Sequence, residues 1–454
     1  MRAFARQMTE RMKAVAAGGA VAAFWLAMWV LVAGLVAQPL ILPGPGAVAV
    51  ALLRLVCDVG TWAILAGSGA RILGGLVLAA ACGGVLAGVS VRSRTFARLV
   101  APALSFVKAT PVACVVVLLL IWLGSARVSI AAVFLMALPG VYFSLVEGLA
   151  QVDKPLEQMF RLHGARGWRL FCAHTWREVL PFALSCARAV IGMSWKAGVA
   201  AELIGMATGT VGERIYQAKL LIETADLLAW TVLIVGASWA CERVLVWLLR
   251  VSGPVAWRAA VRAHGRAGGP AGGGVAAELA LAVGDRAPWA PALDGLVFNV
   301  LAGGRICVMG ASGVGKSTLL ALAAGECAPC SMVFQDVRLV EDASALDNVL
   351  VCADACVDAS SAAALLRLLV PGVDVHARVA ELSGGQRRRV EIARALLCPG
   401  DAVILDEPFT GLDTAARDVC AEVVLDLLDG RMLLLATHDT ADARVLNISD
   451  IITL

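Results

Sequence analysis

The chain has 454 residues and a mass of 47.1 kDa, enough for two or three domains at about 100 to 200 residues each. Its hydrophobic fraction is 60% and its charged fraction 16%, against about 45 to 50% and about 25% in ordinary soluble proteins, which excludes disorder and argues against a wholly soluble molecule. The formal charge of +3 hides a division: up to Arg250 there are 22 Lys and Arg against 11 Asp and Glu, and beyond it 16 against 24.

The positive charges of the first part lie between apolar runs rather than in one patch, which points to the cytoplasmic face of a membrane and away from nucleic acid. A bilayer core of about 30 Å needs roughly 20 apolar residues in a helix. Six runs meet this, at Ala20 to Ala37, Gly69 to Val89, Leu99 to Leu123, Val128 to Ala150, Phe182 to Met206 and Leu227 to Leu249. The basic N-terminus shows no small-residue cleavage site, so the first run is expected to be a retained membrane helix. After it, Leu42-Pro43-Gly44-Pro45-Gly46 breaks the chain, and an amphipathic segment is expected near Ala47 to Leu55. Arg2, Arg6, Arg11 and Lys13, then Arg92, Arg94 and Arg98, then Lys154, Arg161, Arg166, Arg169 and Arg177 fall on one side if the helices alternate. That side is the cytoplasm.

The fifth run carries Arg188, Lys196 and Glu202. Ionisable groups at membrane depth usually face a bundle interior or an aqueous cavity, and the residues leave two readings open: Lys196 and Glu202 line a solute path, or they form a structural pair. The Gly, Ala and Arg rich stretch over 251–275 reads as a flexible linker. The 13 cysteines are spread through both halves, several inside apolar segments, so a disulfide framework is not expected. Cys327 and Cys330 form the sole C-x-x-C pair; with no second pair or His cluster nearby, a zinc or redox role is the minor reading.

Beyond the linker, short apolar runs alternate with helical patterns, as α/β units do. Gly310-Ala311-Ser312-Gly313-Val314-Gly315-Lys316-Ser317, with Thr318 behind it, matches a phosphate loop between a strand candidate and a helix candidate. Its N–H groups can face a β-phosphate, Lys316 reach the outer oxygens, and the Ser317 hydroxyl ligate Mg²⁺. Ala402 to Glu407 reads as a buried strand delivering two carboxylates, Asp406 toward the metal and Glu407 toward an attacking water. Between these lies Leu382-Ser383-Gly384-Gly385-Gln386, a helix start that favours phosphate or simply caps itself.

This last sequence resembles the signature of ATP-binding cassette (ABC) ATPases. The resemblance covers Ala276 to Leu454 and implies that Ser383, Gly384, Gly385 and Gln386 complete the ATP site of a second subunit. It further implies that Gln335 is the glutamine contacting Mg²⁺ and the membrane domain, that Asp413 in Gly411-Leu412-Asp413 belongs to the D-loop, and that His438 contacts the γ-phosphate. Two departures accompany it. Only 19 positions separate Lys316 from Gln335, so part of the family's antiparallel β-subdomain is expected to be missing, and Trp289 is the one upstream candidate for stacking on adenine.

In the membrane half, Glu157 to Pro181 resembles the coupling segment E-A-A-x-x-x-G of bacterial importer permeases, in the nitrate, sulfonate and taurine group. Glu157 and Gly164 keep the pattern, whereas Gln158 and Met159 replace the two alanines. The bland alternative is a basic interfacial helix. The whole reads as a six-helix membrane domain over 1–250, with a coupling segment at 153–181, a linker at 251–275 and an α/β P-loop ATPase domain at 276–454. It implies an ATP- and Mg²⁺-dependent importer half in a bacterial inner membrane, paired with a second copy and fed a small-molecule solute by a separate solute-binding protein. The rival readings are an exporter half-transporter and a membrane-anchored ATPase that moves no solute.

Overall fold

The computed structural model describes residues 2–267, 278–282, 297–327, 330–354 and 356–454. Two units emerge, one of Met1–Ala150 with Pro181–Arg250, the other of Gln151–Leu180 with Val251–Leu454. The segment at 153–181, which the sequence numbers with the membrane domain, groups with the ATPase part as far as Leu180.

The first unit opens with α1 (Arg2–Val36) and α2 (Pro45–Cys57), the latter with proline in its first turn. Asp58 ends α2 and caps α3 (Val59–Arg92), its carboxylate accepting from the N–H groups of Gly60 and Thr61. The expected single run from Leu99 to Leu123 is two helices, α4 (Arg94–Ala109) and α5 (Val112–Leu123), bent by 103°. The cause is Pro111, which lacks an N–H and pushes Thr110 into an extended conformation at φ −75°, ψ 130°. α6 (Ser125–Ala150) lies against α3, and the approach is close because a Cβ on Gly75 would meet the Ile130 carbonyl at 2.5 Å and one on Gly83 would meet Val141 at 2.8 Å. Small residues serve this purpose between membrane helices.

α9 (Trp176–Gly205), α10 (Val211–Leu220) and α11 (Thr224–Ala267) follow after the coupling segment, α9 and α11 each containing a boundary between the units. Among the described residues four helices, α1, α3, α6 and α11, are long and apolar enough to cross a membrane, or five if the bent pair is one span. α9, the fifth expected span, is 30 residues long but carries Arg188, Lys196 and Glu202. The linker expected from 251 is helix as far as Ala267; residues 268–275 lie outside those described.

In the second unit, α7 (Lys154–Leu162) and α8 (Gly167–Leu170) lead through a π-helical turn, Phe171–Thr175, into α9. The antiparallel pair β1 (Glu278–Ala282) and β2 (Val297–Leu301) precedes a parallel sheet in the order β4-β5-β6-β3-β7. Its strands are β3 (Arg305–Met309), β4 (Ser331–Val333), β5 (Ala402–Asp406), β6 (Met432–Thr437) and β7 (Asp450–Thr453). Around it lie α12 (Lys316–Glu326), α13 (Ala345–Leu350), α14 (Ala359–Leu369), α15 (Gly384–Leu397), α16 (Thr414–Leu427) and α17 (Thr440–Val445). α12 ends at Glu326 and β4 begins at Ser331, which is how the short spacing from Lys316 to Gln335 is achieved.

Strand side chains alternate between faces, and the two faces carry separate apolar cores. Ile306, Val308, Ile404, Leu434 and Ala436 meet α12, whereas Cys307, Val403, Leu405, Leu433 and Leu435 belong to the cluster containing residues of α13, α14 and α15. The first core also contains Leu156, Met159 and Phe160 of α7 and Trp257 and Ala260 of α11.

Glu202 does have an ion-pair partner, but not the one the sequence suggested. It is fully buried and bonds Arg71 Nε at 3.1 Å and Ser68 Oγ at 2.8 Å, while Lys196 is exposed. The ion-pair partner of Glu202 is thus Arg71 rather than Lys196. Replacing Glu202 with Ala leaves Arg71 and Ser68 short of an acceptor and is expected to cost about 3 kcal/mol, the low end for a broken buried pair because Arg71 is partly exposed. Lys196→Ala should change stability by less than about 0.5 kcal/mol. Thermal unfolding in detergent micelles checks both, and equal shifts would contradict the assignment.

Candidate functional site

Parallel strands place all their carboxyl ends on one edge, where open α/β sheets bind ligands. Four of the predicted motifs sit there. The phosphate loop follows β3, Gln335 follows β4, Asp406 ends β5 with Glu407 next to it, and His438 follows β6. A cavity of about 170 Å³ is lined by Ser312, Gly313, Gly315, Lys316, Ser317, Thr318, Gln335 and Glu407. The loop curls as the motif predicts, with Gly313 at φ +82° and Gly315, the N-cap of α12, at φ +115°. Lys316 is buried and donates to the carbonyls of Gly310 at 2.8 Å and Ala311 at 3.1 Å.

Asp406 is buried at 3% exposure, and burial pushes its carboxyl above the usual range, with the Glu407 charge adding to the effect; the Ser317 hydroxyl bonded to it and the Lys316 ammonium work the other way. Glu407 occupies the left-handed region at φ +46°, a strained choice for a residue with a side chain. Its N–H donates to Ala436 O at 2.9 Å, and its carboxylate accepts from His438 Nδ1 at 3.3 Å and Thr410 Oγ1 at 3.5 Å. The strain aims the carboxylate at the histidine across the strand ends.

The signature residues are elsewhere. Ser383 caps α15, and Gln386 closes a capping box by accepting from the Ser383 N–H at 2.8 Å. Asp413 caps α16, accepting from Ala416 N at 2.8 Å. Ser383, Gly385, Gly411, Leu412 and Asp413 line a second cavity of about 490 Å³, and none of them lines the phosphate-loop cavity. Ser383 and Gly384 are exposed at the helix start. Trp289 lies outside the described residues. Burial pushes the thiols of Cys327 and Cys330 up to about 11 and about 12, so neither is a thiolate nucleophile near neutral pH.

The coupling segment is built from an amphipathic helix and a tight bend. Asp153 caps α7, Glu157 pairs with Arg161 one turn on at 2.6 Å, and Leu156, Met159 and Phe160 enter the ATPase core. Gly164 then turns the chain at φ +80°, its neighbour Ala165 donating to Phe160 O at 2.9 Å. His163, which sequence reasoning passed over, donates from Nδ1 to Met159 O at 2.9 Å and accepts at Nε2 from the Met332 N–H at 3.5 Å, fastening the segment to β4. Leu162 O accepts from Cys330 N at 3.2 Å. Arg338, also missed, donates to Pro155 O at 3.1 Å and Gln158 Oε1 at 3.3 Å. The one available signal was Gln158 itself, a long polar side chain where the coupling pattern has alanine.

Comparison with known proteins agrees with this geometry. Residues 80–254 match the family described as binding-protein-dependent transport system inner membrane component, and residues 293–410 match the ABC transporter family. The chain is 33% identical over 182 residues to the aliphatic sulfonates import ATP-binding protein SsuB 1 of Paracoccus denitrificans (strain Pd 1222), covering 37% of this chain and 74% of that protein. It belongs to the ABC transporter family. The lipoprotein-releasing system ATP-binding protein LolD of Xanthomonas axonopodis pv. citri (strain 306) is 33% identical over 35% of this chain and 78% of its own length. The nitrate import ATP-binding protein NrtD of Synechococcus elongatus (strain ATCC 33912 / PCC 7942 / FACHB-805) is 32% identical over 35% and 67%. A solved ABC cassette, MJ0796, aligns with 36% of this chain and 86% of its own at 25% identity and a TM-score of 0.32. This ABC transporter is thus a permease domain fused to an ATPase domain, and it hydrolyses ATP in the service of transport.

The bend at Gly164 gives a backbone test. Gly164→Val forces a branched side chain into the left-handed region and should cost about 1 to 2 kcal/mol, whereas Gly164→Asn, which tolerates that region, should cost less. Chemical unfolding of the full chain separates the two, and equal losses would show that crowding rather than φ is limiting.

Proposed function

We propose that this ABC transporter is one half of a homodimeric, ATP-driven importer in a bacterial inner membrane, taking a small-molecule solute from a separate solute-binding protein. The observation that carries the reading is the packing of the coupling segment into the ATPase core beside the segment behind Gln335. The membrane match described as binding-protein-dependent and the two import relatives support the inward direction. An exporter half is the second reading, favoured by the lipoprotein-releasing relative; against it, α3 and α4 are separated by Ser93 alone, which leaves no room between them for a helical extension into the cytoplasm.

The chemistry follows from the residues. Backbone N–H groups of 312–317 and the Lys316 ammonium hold the β- and γ-phosphates, and the start of α12 adds its dipole. Ser317, Gln335 and Asp406 present a hard, all-oxygen donor set of the kind Mg²⁺ takes, and the hydroxyl of Ser317 already meets the Asp406 carboxylate; the ion would neutralise phosphate charge there. Glu407 orients and polarises the attacking water, and His438, held by that carboxylate, faces the γ-phosphate. The two cavities on one chain are the reason for a dimer: Ser383, Gly384, Gly385, Gln386 and Asp413 of one copy close over the phosphate loop of the other. Closure on ATP and reopening after hydrolysis pass through α7 to the membrane helices.

Glu407→Gln keeps the phosphate cradle and loses the carboxylate, so ATP binding should persist while turnover falls by on the order of 10² to 10⁴. Wild-type hydrolysis in that variant would contradict the role. Dimerisation has its own test: in a chain stripped of its native cysteines, Cys placed at Ser312 and Ser383 should crosslink two chains when ATP is present. Linkage within one chain only would remove the composite site. Uptake into proteoliposomes, with candidate solute-binding proteins supplied on the outside, separates import from export.

A further inference from the structure

Behind the nucleotide cavity, α15 holds one stretch of main chain at several points. Glu391 is fully buried between two buried arginines of its own helix, Arg388 at 2.9 Å and Arg394 at 3.3 Å. Arg388 donates to the carbonyls of Phe334 and Gln335. Glu391 accepts from the Arg338 N–H at 3.1 Å, and Arg394 donates to Arg338 O. Three charges are costly to take out of water, and such a triad persists only where its hydrogen bonds are met; here they are met largely by residues 334–338. The stretch next to Gln335 is thereby tied to the helix that starts at Ser383.

From this anchored stretch the Arg338 side chain reaches the coupling helix. Its guanidinium lies 3.6 Å from the centroid of the Phe334 ring and donates to Pro155 O and Gln158 Oε1 on α7. Alanine at position 158 offers no acceptor for the second bond, so Gln158 and Arg338 make sense together. Both bonds to α7 leave from Nη1 while the flat guanidinium lies over the ring, a stacking that a lysine ammonium would not reproduce.

We propose that Arg338 is the positioning residue through which the Gln335 segment grips and moves α7, with the Arg388–Glu391–Arg394 triad as its anchor on the signature helix. This rests on the reading of a coupled transporter and names the side chain that carries the link. Arg338 touches neither the phosphate loop nor Glu407, so its loss acts on transmission and not on the ATP chemistry.

The test needs no identified solute. Hydrogen–deuterium exchange is measured on the full chain in lipid nanodiscs, with and without ATP and Mg²⁺, in the Glu407→Gln background so that bound ATP persists. ATP should slow exchange at 332–340 and alter it at 154–163. Adding Arg338→Ala should leave the first response in place and reduce the second by about fivefold or more, the lower end of ordinary coupling strengths. Gln158→Ala, which trims an exposed side chain, should give a smaller loss of the same kind. With Glu407 intact, Arg338→Ala should keep basal ATP hydrolysis. If 154–163 responds fully in both variants, or never responds in the parent, the proposal is overturned while the transporter reading stands. If ATP affects neither segment, the nucleotide site falls as well. Should Arg338→Ala fail to fold, Gln158→Ala decides alone.

Discussion

Main-chain direction is the constraint on which the ATPase unit depends. Five strands run parallel, so their carboxyl ends share one edge, and each following loop must begin there. The phosphate loop, the carboxylates at 406 and 407, His438 and Gln335 come from four stretches far apart in the chain, yet none had to be carried to the site by a long excursion. Burial on both faces of the sheet supplies the rigidity, since β5 and β6 are buried along their whole lengths. That leaves strain to be spent locally, and it is spent at Glu407, the one residue of the cavity with a side chain forced into a left-handed turn.

In the proposed mechanism the same sheet links the nucleotide site to the segment around α7. α7 does not rest on the surface of the ATPase unit; Met159 and Phe160 are fully buried in the core shared with β3, β5 and β6. Around that apolar contact sit directional bonds, from His163 to β4 and from Arg338 to α7. Hydrophobic burial is non-directional and holds the helix near, whereas hydrogen bonds set its register. A packed contact of this type shifts as a body rather than yielding gradually.

Much of the ATPase site was legible in the sequence because its motifs are local. A phosphate loop needs glycines, a lysine and a serine within eight positions, and a strand ending in Asp406-Glu407 announces itself by its apolar run. The membrane half was legible in outline through hydropathy, but hydropathy averages over Pro111 and so read α4 and α5 as one span. It also could not pair Glu202 with Arg71, 131 positions away. Composition misled at 251–267, where Gly, Ala and Arg suggested a loose linker and α11 instead continues, with Trp257 buried and the Arg177 guanidinium 4.8 Å from its ring centre. Arg338 and His163 were invisible for the same reason: each is a single polar residue whose meaning lies in a partner distant in the chain.

The packing of Trp257, Met159 and Phe160 changes what counts as a part of this protein. The sequence divides cleanly near residue 276, and a reader of motifs would cut there to obtain the ATPase. The core does not divide at that point. Its first layer is completed by residues 151–180 and by the end of α11, which arrive from the other side of the cut. A separate cassette of residues 276–454 would carry an open apolar trough where those side chains belong. Where permease and ATPase are separate chains, such a trough is an interface, filled at a concentration cost. Here it is filled by a neighbour on the same chain, at the high effective concentration that tethering gives, so a permease from another chain would have to displace that neighbour to engage this ATPase.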